Sequence, residues 1–559
     1  MESKSDNKIH LTENDKINKL LIKLVSDVKG FTENQLDQIR RLTQIGSALS
    51  AERNLDKLLE MIVDEARAFT NADGGTLYIM SDDETELFFA IVQTNSLNIR
   101  MGGTGGKITW PPVQLKNSDG SPNHANVSAY AALTGTVINI TDVYDAEGFN
   151  FEGTRKFDAE TGYRSKSMLV VPMRNHENDI IGVLQLLNAQ FPVTGEVISF
   201  SIENQKMTES LASQAAVALS NNRLIHELEN LLESFIRSIA TAIDAKSPYT
   251  GGHVRRVADL TMSIADKINE AKTGPFADVY FNNDRLKELR IAAWLHDVGK
   301  ITTPEYVIDK SRKLQTIYDR LEIIETRMEV VRRDYLIKQI RGNDPKTECG
   351  HKDDAVDYDK VVRDMEENLR FLAAVNTGTE VLTDEMLNRL QQIASVPWSL
   401  NGEQKSLLNE DELYNISIHQ GTLTAEEREI IKNHATVTYK MLSQLPFPKK
   451  MRNVAVYAAA HHEKLDGTGY PLGLHEDQIP LQARIIALAD VFDALTAKDR
   501  PYKKEKTLSE AVRILRSMVK DKYVDSDLLD IFIDENIHIS YALKELASQQ
   551  IDVEPSVKN

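Results

Sequence analysis

The chain has 559 residues, 41% of them hydrophobic, with 66 basic and 84 acidic side chains and a net charge of −18. That length exceeds a single core and points to three or four units of about 150 residues each, while the acidic balance excludes a general attraction to nucleic acid polymers or anionic lipid. No stretch approaches the ~18 unbroken apolar residues of a membrane span; the opening MESKSDNKIHLTENDK has no apolar signal core, and the single cysteine, Cys349, has no internal partner. A cytoplasmic protein is expected.

Residues 1–32 read as a polar leader, frayed or helical. Beyond them Leu42, Ile45, Leu49, Leu55, Leu58, Leu59 and Ile62 recur at helical spacing. Segments 74–80 and 87–92 have the β-branched and aromatic character of strands, as do 167–173 and 180–188 on either side of a polar turn. A helix over 204–219 closes this unit, which spans 33–222. Between 205 and 245 there is neither proline nor glycine, and Leu224, Leu228, Leu231 and Phe235 are spaced four, three and four. That is a coiled-coil seam on a connecting helix, and it predicts pairing with a second copy of the chain.

Segments 246–309 and 422–530 hold the chemically informative residues, and 310–421 interrupts them. In the interruption Leu314, Ile317, Leu321, Ile324, Met328, Val331 and Tyr335 repeat by three and four. The polar RGNDPKTECG follows, and then Tyr358, Val362, Met365, Leu369 and Leu372 repeat by four and three. Two such stripes predict an inserted antiparallel helical hairpin. Cys349 and His351 are too few for a metal clip. The stretch 531–559 reads as a polar tail.

The helix–strands–helix order over 40–220 resembles a GAF domain, above all in KFDAETGYRSKSMLVVPM followed by GVLQLLN. The resemblance implies an α+β module that senses a small molecule. In the cyclic-nucleotide-binding members a spaced Asn-Lys…Phe…Asp-Glu signature is usual. Here Asn188 and Phe200 fit it, but Ala189 replaces the lysine and Glu203-Asn204 replace the acidic pair, so the ligand stays open. The absence of cysteine from 40–220 excludes thioether attachment of a bilin.

Transition metals take imidazole and carboxylate ligands, and a metal pair needs a bridging carboxylate with several terminal nitrogens. Candidates occur in order: His253 in YTGGHVRRVADL, His296 and Asp297 in AAWLHDVGKI, His434 in EEREIIKNHATV, then His461, His462 and Asp490. Adjacent histidines on a helix diverge by about 100°, so His461 and His462 share a centre only where the helix ends or bends. Gly467 and Gly469 lead us to expect an end close by. The other histidines (His10, His124, His176, His226, His351, His419, His475 and His538) lack such partners and read as solvated or packed.

The run HHEKLDGTGYPLGL, together with the His296-Asp297 pair, resembles the HD-GYP family of cyclic di-GMP phosphodiesterases within the HD superfamily of metal-dependent phosphohydrolases. The resemblance implies an all-α domain and two divalent ions, iron or manganese. One ion would be held by His253, His296, Asp297 and Asp490, the second by Asp297, His434, His461 and His462. Asp297 would bridge them, and a water activated between them would attack phosphorus. Lys300 lies one helical turn beyond Asp297, so it can serve the same pocket as fixed charge on the substrate phosphate. Arg500 and Lys503 match phosphate-gripping positions of the family. Tyr470, in the Gly469-Tyr470-Pro471 turn, can contact a phosphate or a guanine.

Tyr249 stands where some members carry a glutamate for a third metal, which implies two metals and pGpG as the main product, with further conversion to GMP left open. The expectation is thus a multidomain protein: a GAF domain, a long signalling helix, and an HD-GYP domain with an inserted hairpin, acting on cyclic di-GMP. Two alternatives stay open. One is a receptor that binds cyclic di-GMP without turnover, because the insertion interrupts a loop near the site. The other is the same hydrolysis on cyclic GMP-AMP.

Overall fold

The computed structural model describes residues 15–246, 251–342, 358–497 and 505–553, and the chain divides into two compact units, Met1–Asn230 and Leu231–Asn559. In the first, the residues that recur at helical spacing fall on two helices, α1 (Asp15–Ala51) and α2 (Leu55–Thr70). The break falls at Asn54, whose side chain accepts from the Lys57 amide and caps α2. Part of the expected polar leader is therefore helix, since α1 already starts at Asp15.

Next come β1 (Ala72–Met80), β2 (Glu86–Thr94), β3 (Ile99–Gly102), β4 (Val113–Gln114), α3 (Val127–Thr134), β5 (Ile138–Ile140), α4 (Glu152–Thr161), β6 (Met168–Arg174), β7 (Ile180–Gln190) and β8 (Val197–Ile198). The four strands expected from the sequence are β1, β2, β6 and β7. The others are two to four residues long, too short for alternation to register. All pairings are antiparallel, in the order β3-β2-β1-β7-β6-β5, with β4 against β2 and β8 against β7.

The central strand β1 is buried from Ala72 to Tyr78 because both sheet faces are covered. Leu49, Leu58, Ile62, Leu211 and Ala215 pack on one face, and Val127, Ala131, Val143 and Phe151 on the other. Asn188, the residue that fitted the nucleotide-binding signature, is occupied structurally. Its side chain accepts from the Lys166 amide at 2.7 Å and donates to the Arg164 carbonyl at 2.8 Å.

Helix α5 (Ile202–Asp244) is unbroken for 43 residues, and the division between the units falls within it. Leu224, Leu228, Leu231 and Phe235 on this helix are 52% to 69% exposed.

The second unit is helical: α6 (His253–Glu270), α7 (Asn283–Leu295), α8 (Glu305–Ile308), then the interruption, then α13 (Ala425–Ser443), α14 (Val454–Ala459), α15 (Leu481–Thr496), α16 (Leu508–Lys520), α17 (Ser526–Asp534) and α18 (Ile537–Glu545). Its core joins Val257, Ile264, Leu289, Ile486, Phe492 and Phe532, among others. Ile537, Ile539 and Ala542 are buried in the same core, so the helical domain continues where a polar tail was expected.

The interruption is more than a hairpin. After α9 (Leu321–Gly342) and α10 (Tyr358–Asn376) come α11 (Asp384–Ala394), the two-stranded β9 (Pro397–Leu400) and β10 (Glu403–Ser406), and α12 (Glu410–Ile416). Together they form a separate core around Ile324, Leu372, Leu390, Ile393 and Ile416. The first stripe also overshoots. The helix starts only at Leu321, whose amide donates to Asp319, while Leu314 is buried in the preceding turn and Ile317 there is 94% exposed. Cys349 and His351 lie outside the described residues.

Candidate metal centre

Each expected ligand sits at the end of an element or on a face turned toward Asp297. His253 opens α6. His296 directly follows α7, and Asp297 opens the short 3-10 turn Val298–Thr302. His434 lies within α13. The α14 helix tightens into a 3-10 turn over Ala460–His462, so the bend needed by the adjacent histidines falls on the pair itself rather than at the later glycines. Asp490 lies on α15.

The structure brings all seven together. His253 Nε2 is 3.2 Å from Asp490 Oδ1, and His296 Nε2 is 3.3 Å from Asp297 Oδ2. The opposite oxygen of Asp297, Oδ1, is 3.4 Å from His434 Nε2 and 4.0 Å from His461 Nε2. The ligand atoms fall into compact groups: His253 with His296 and Asp490, His434 with His461 and His462, and Asp297 between them with His296 and His461. One carboxylate thus turns one oxygen toward each side.

Hydrogen bonds decide which imidazole nitrogen faces the centre. Nδ1 of His296, His434 and His461 each lies 2.5–2.7 Å from the backbone carbonyl three residues earlier, Ala293, Ile431 and Ala458. A carbonyl only accepts, so Nδ1 carries the proton and Nε2 keeps its lone pair. His253 Nδ1 donates instead to Asp493 Oδ2 at 2.7 Å; Arg256 Nε at 2.7 Å and the Tyr541 hydroxyl at 2.5 Å donate to Asp493 Oδ1.

Among these site residues, five atoms are buried without a hydrogen-bond partner: Nε2 of His296, His434 and His461, Nδ1 of His462, and Oδ1 of Asp297. Buried polar atoms normally find partners, and five orphans within one cluster of candidate ligands are what divalent cations would satisfy. The residues therefore fit a metal centre. Its electrostatics agree. Burial, and for His461 also the neighbouring His462 ring, holds His434 and His461 below the usual imidazole range and takes His462 to about 3, so these rings are neutral donors. Burial opposes charge on Asp297, but Lys300, His296 and His253 outweigh it and hold the carboxyl well below its ordinary value.

Lys300 Nζ pairs with Asp297 Oδ2. The Tyr470 ring lies 4.8 Å from that of His462, its amide donates to the His462 carbonyl at 3.2 Å, and burial raises its hydroxyl pKa so that it stays protonated. Arg500, Lys503 and Tyr249 lie outside the described residues. Of the histidines read as bystanders, His538 is packed, with Nδ1 3.2 Å from the Phe532 carbonyl.

Several site residues escaped the sequence reading. Gly299 is required by close approach: a Cβ there would lie 2.0 Å from the His434 carbonyl oxygen. Thr438 locks the same contact, donating to the His296 carbonyl and accepting from the Gly299 amide. Glu463 accepts from the Leu472 and Leu474 amides at 2.7 and 2.9 Å and so holds the turn that carries Tyr470. Asp493 and Arg256 lie three residues after Asp490 and His253, a spacing that would have flagged them.

Comparison with known proteins places these features. Residues 54–219 match the GAF domain, and residues 250–380 and 410–528 match HD domains. A cyclic di-GMP phosphodiesterase of Thermotoga maritima is 40% identical over 118 residues, 21% of this chain and 31% of that protein. The cyclic di-GMP phosphodiesterase response regulator RpfG of Xanthomonas campestris pv. campestris is 42% identical over 101 residues, 18% of this chain and 26% of its own length. The 3'3'-cGAMP-specific phosphodiesterase 3 of Vibrio cholerae is 45% identical over 96 residues, 17% of this chain and 20% of that protein. The matched region thus spans about a third of these relatives or less.

Proposed function

We propose that this chain, which carries a GAF domain followed by HD-domain segments, is a metal-dependent phosphodiesterase of the HD-GYP type that opens cyclic di-GMP to pGpG. The observation that carries the reading is the Asp297 carboxylate, with one oxygen toward His253 and His296 and the other toward His434 and His461. His253, His296, Asp297 and Asp490 would hold one divalent ion, and Asp297, His434, His461 and His462 the other, as iron or manganese. Such ions supply Lewis acidity, acidifying a water and drawing off charge that develops on the phosphate oxygens.

The chain's own groups do the rest. Lys300, already against Asp297, offers an ammonium to a non-bridging oxygen. Tyr470 offers a protonated hydroxyl or its ring face to the substrate. Arg500 and Lys503 add phosphate contacts. The Nδ1 protons of His296, His434 and His461 stay on nitrogen, hydrogen-bonded to backbone carbonyls, so these rings orient and do not shuttle protons.

The GAF domain would bind a small molecule and govern this site through α5, whose exposed leucines pair with a second copy. No helix among the described residues is long and apolar enough to cross a membrane, in keeping with action on a diffusible dinucleotide.

The test is anaerobic hydrolysis of cyclic di-GMP and 3'3'-cGAMP by the full chain loaded with iron or manganese, with products separated by chromatography. Release of pGpG from cyclic di-GMP supports the reading. Preference for cGAMP reassigns the substrate, as the Vibrio relative would suggest. Tight binding of either without turnover makes the chain a receptor.

A further inference from the structure

The sensor-side helix α5 ends at Asp244, and two residues on, Lys246 reaches into the HD segment. Its ammonium donates to three backbone carbonyls in succession: Lys300 at 3.1 Å, Ile301 at 2.6 Å and Thr303 at 2.6 Å. These belong to the turn that follows Asp297, in which the Lys300 amide donates to the Asp297 carbonyl, the Thr303 amide to the Lys300 carbonyl and the Thr302 hydroxyl to the Gly299 carbonyl. A cation at the open, carbonyl-bearing end of such a turn is favoured both by its hydrogen bonds and by the aligned peptide dipoles. The same corner is a wall of the site: Asp244, Lys246, His253, Asp297 and Lys300 line one small cavity.

We propose that Lys246 is a positioning residue for Lys300. By clasping the carbonyls around it, Lys246 fixes the backbone that carries the phosphate-facing ammonium and ties that backbone to the end of α5. The helix that begins in the GAF unit therefore has a direct grip on the residue whose placement sets the rate. This rests on the phosphodiesterase reading for its kinetic consequence, but the clasp itself can be tested without turnover.

Lys246→Met removes three donors at similar volume, and Lys246→Arg keeps a cation and its donors. In hydrogen–deuterium exchange on the full chain, Lys246→Met should speed exchange of peptides covering 298–303 about tenfold while those covering α15 stay unchanged; Lys246→Arg should restore protection. In the metal-loaded protein, kcat should fall about tenfold to a hundredfold, the cost of a small misplacement, with metal content and KM held. On a Lys300→Ala background the same change should cost nothing further, because the two residues act as one unit. Unaltered exchange over 298–303 would overturn the clasp. Faster exchange with unaltered kcat, or losses that simply add on the Lys300→Ala background, would overturn the positioning role. If the wild-type chain turned over no dinucleotide, the functional reading would fail while the exchange result still decided the clasp.

Discussion

Four of the five ligand imidazoles are each aimed by one hydrogen bond, and the partner differs in a way that matters. Three use a backbone carbonyl, which no side-chain change removes; His253 uses the Asp493 carboxylate. Asp493→Asn should therefore loosen the metal on the His253 side selectively, lowering its affinity about 10- to 100-fold, measurable by competition with a chelator. Lys300→Ala should leave both metals bound and slow turnover by about 10²-fold, in the range for loss of a preorganised group that meets developing charge, read as kcat at fixed metal content. At this scale the sequence was most legible for the ligands themselves, because histidines in a fixed order with matching flanks are rare. Thr438 and Gly299 were illegible. Their roles come from contacts over separations such as the 142 residues between His296 and Thr438, which no local spacing encodes.

At the scale of elements, the turn from Glu463 to Leu474 behaves as one piece. The buried Glu463 carboxylate accepts two of its amides, and Gly469 must be glycine, since a Cβ would come within 2.3 Å of the Lys464 amide nitrogen. Glu463→Ala strands both amides and should free the Tyr470 ring, raising KM for the dinucleotide about tenfold, at ~1.4 kcal/mol per factor of ten, while metal content stays near wild type. The long elements β1, β7, α5 and α10 were legible because β-branched and aromatic runs mark the strands and apolar residues three and four apart mark the helices. The 310–421 region shows the limit of pattern. Its heptads found two helices but overran the start of α9, because Asp319 and Asn376 organise a turn at Leu314–Ile317 that the apolar spacing alone ignores.

Across the whole molecule, an acidic chain gathers its candidate metal ligands in one buried cluster and leaves a long apolar seam on α5. Leu228 and Leu231 are 69% and 68% exposed; if this seam pairs two copies of the chain, Leu228→Asp with Leu231→Asp should leave a monomer, checked by sedimentation equilibrium, without changing metal content. The multidomain order was legible from composition and motif, whereas the separate core within the insertion was not, since its short helices and exposed hairpin carry too few periods. In the proposed function Asp297 joins two metals in a hydrolytic site. Its most direct test is to count metals per chain and measure cyclic di-GMP turnover on the same samples of wild-type protein and Asp297→Asn. The wild type should hold about two metals and turn over cyclic di-GMP, and the variant should lose both turnover and the paired stoichiometry. Full activity with two metals in Asp297→Asn would contradict it.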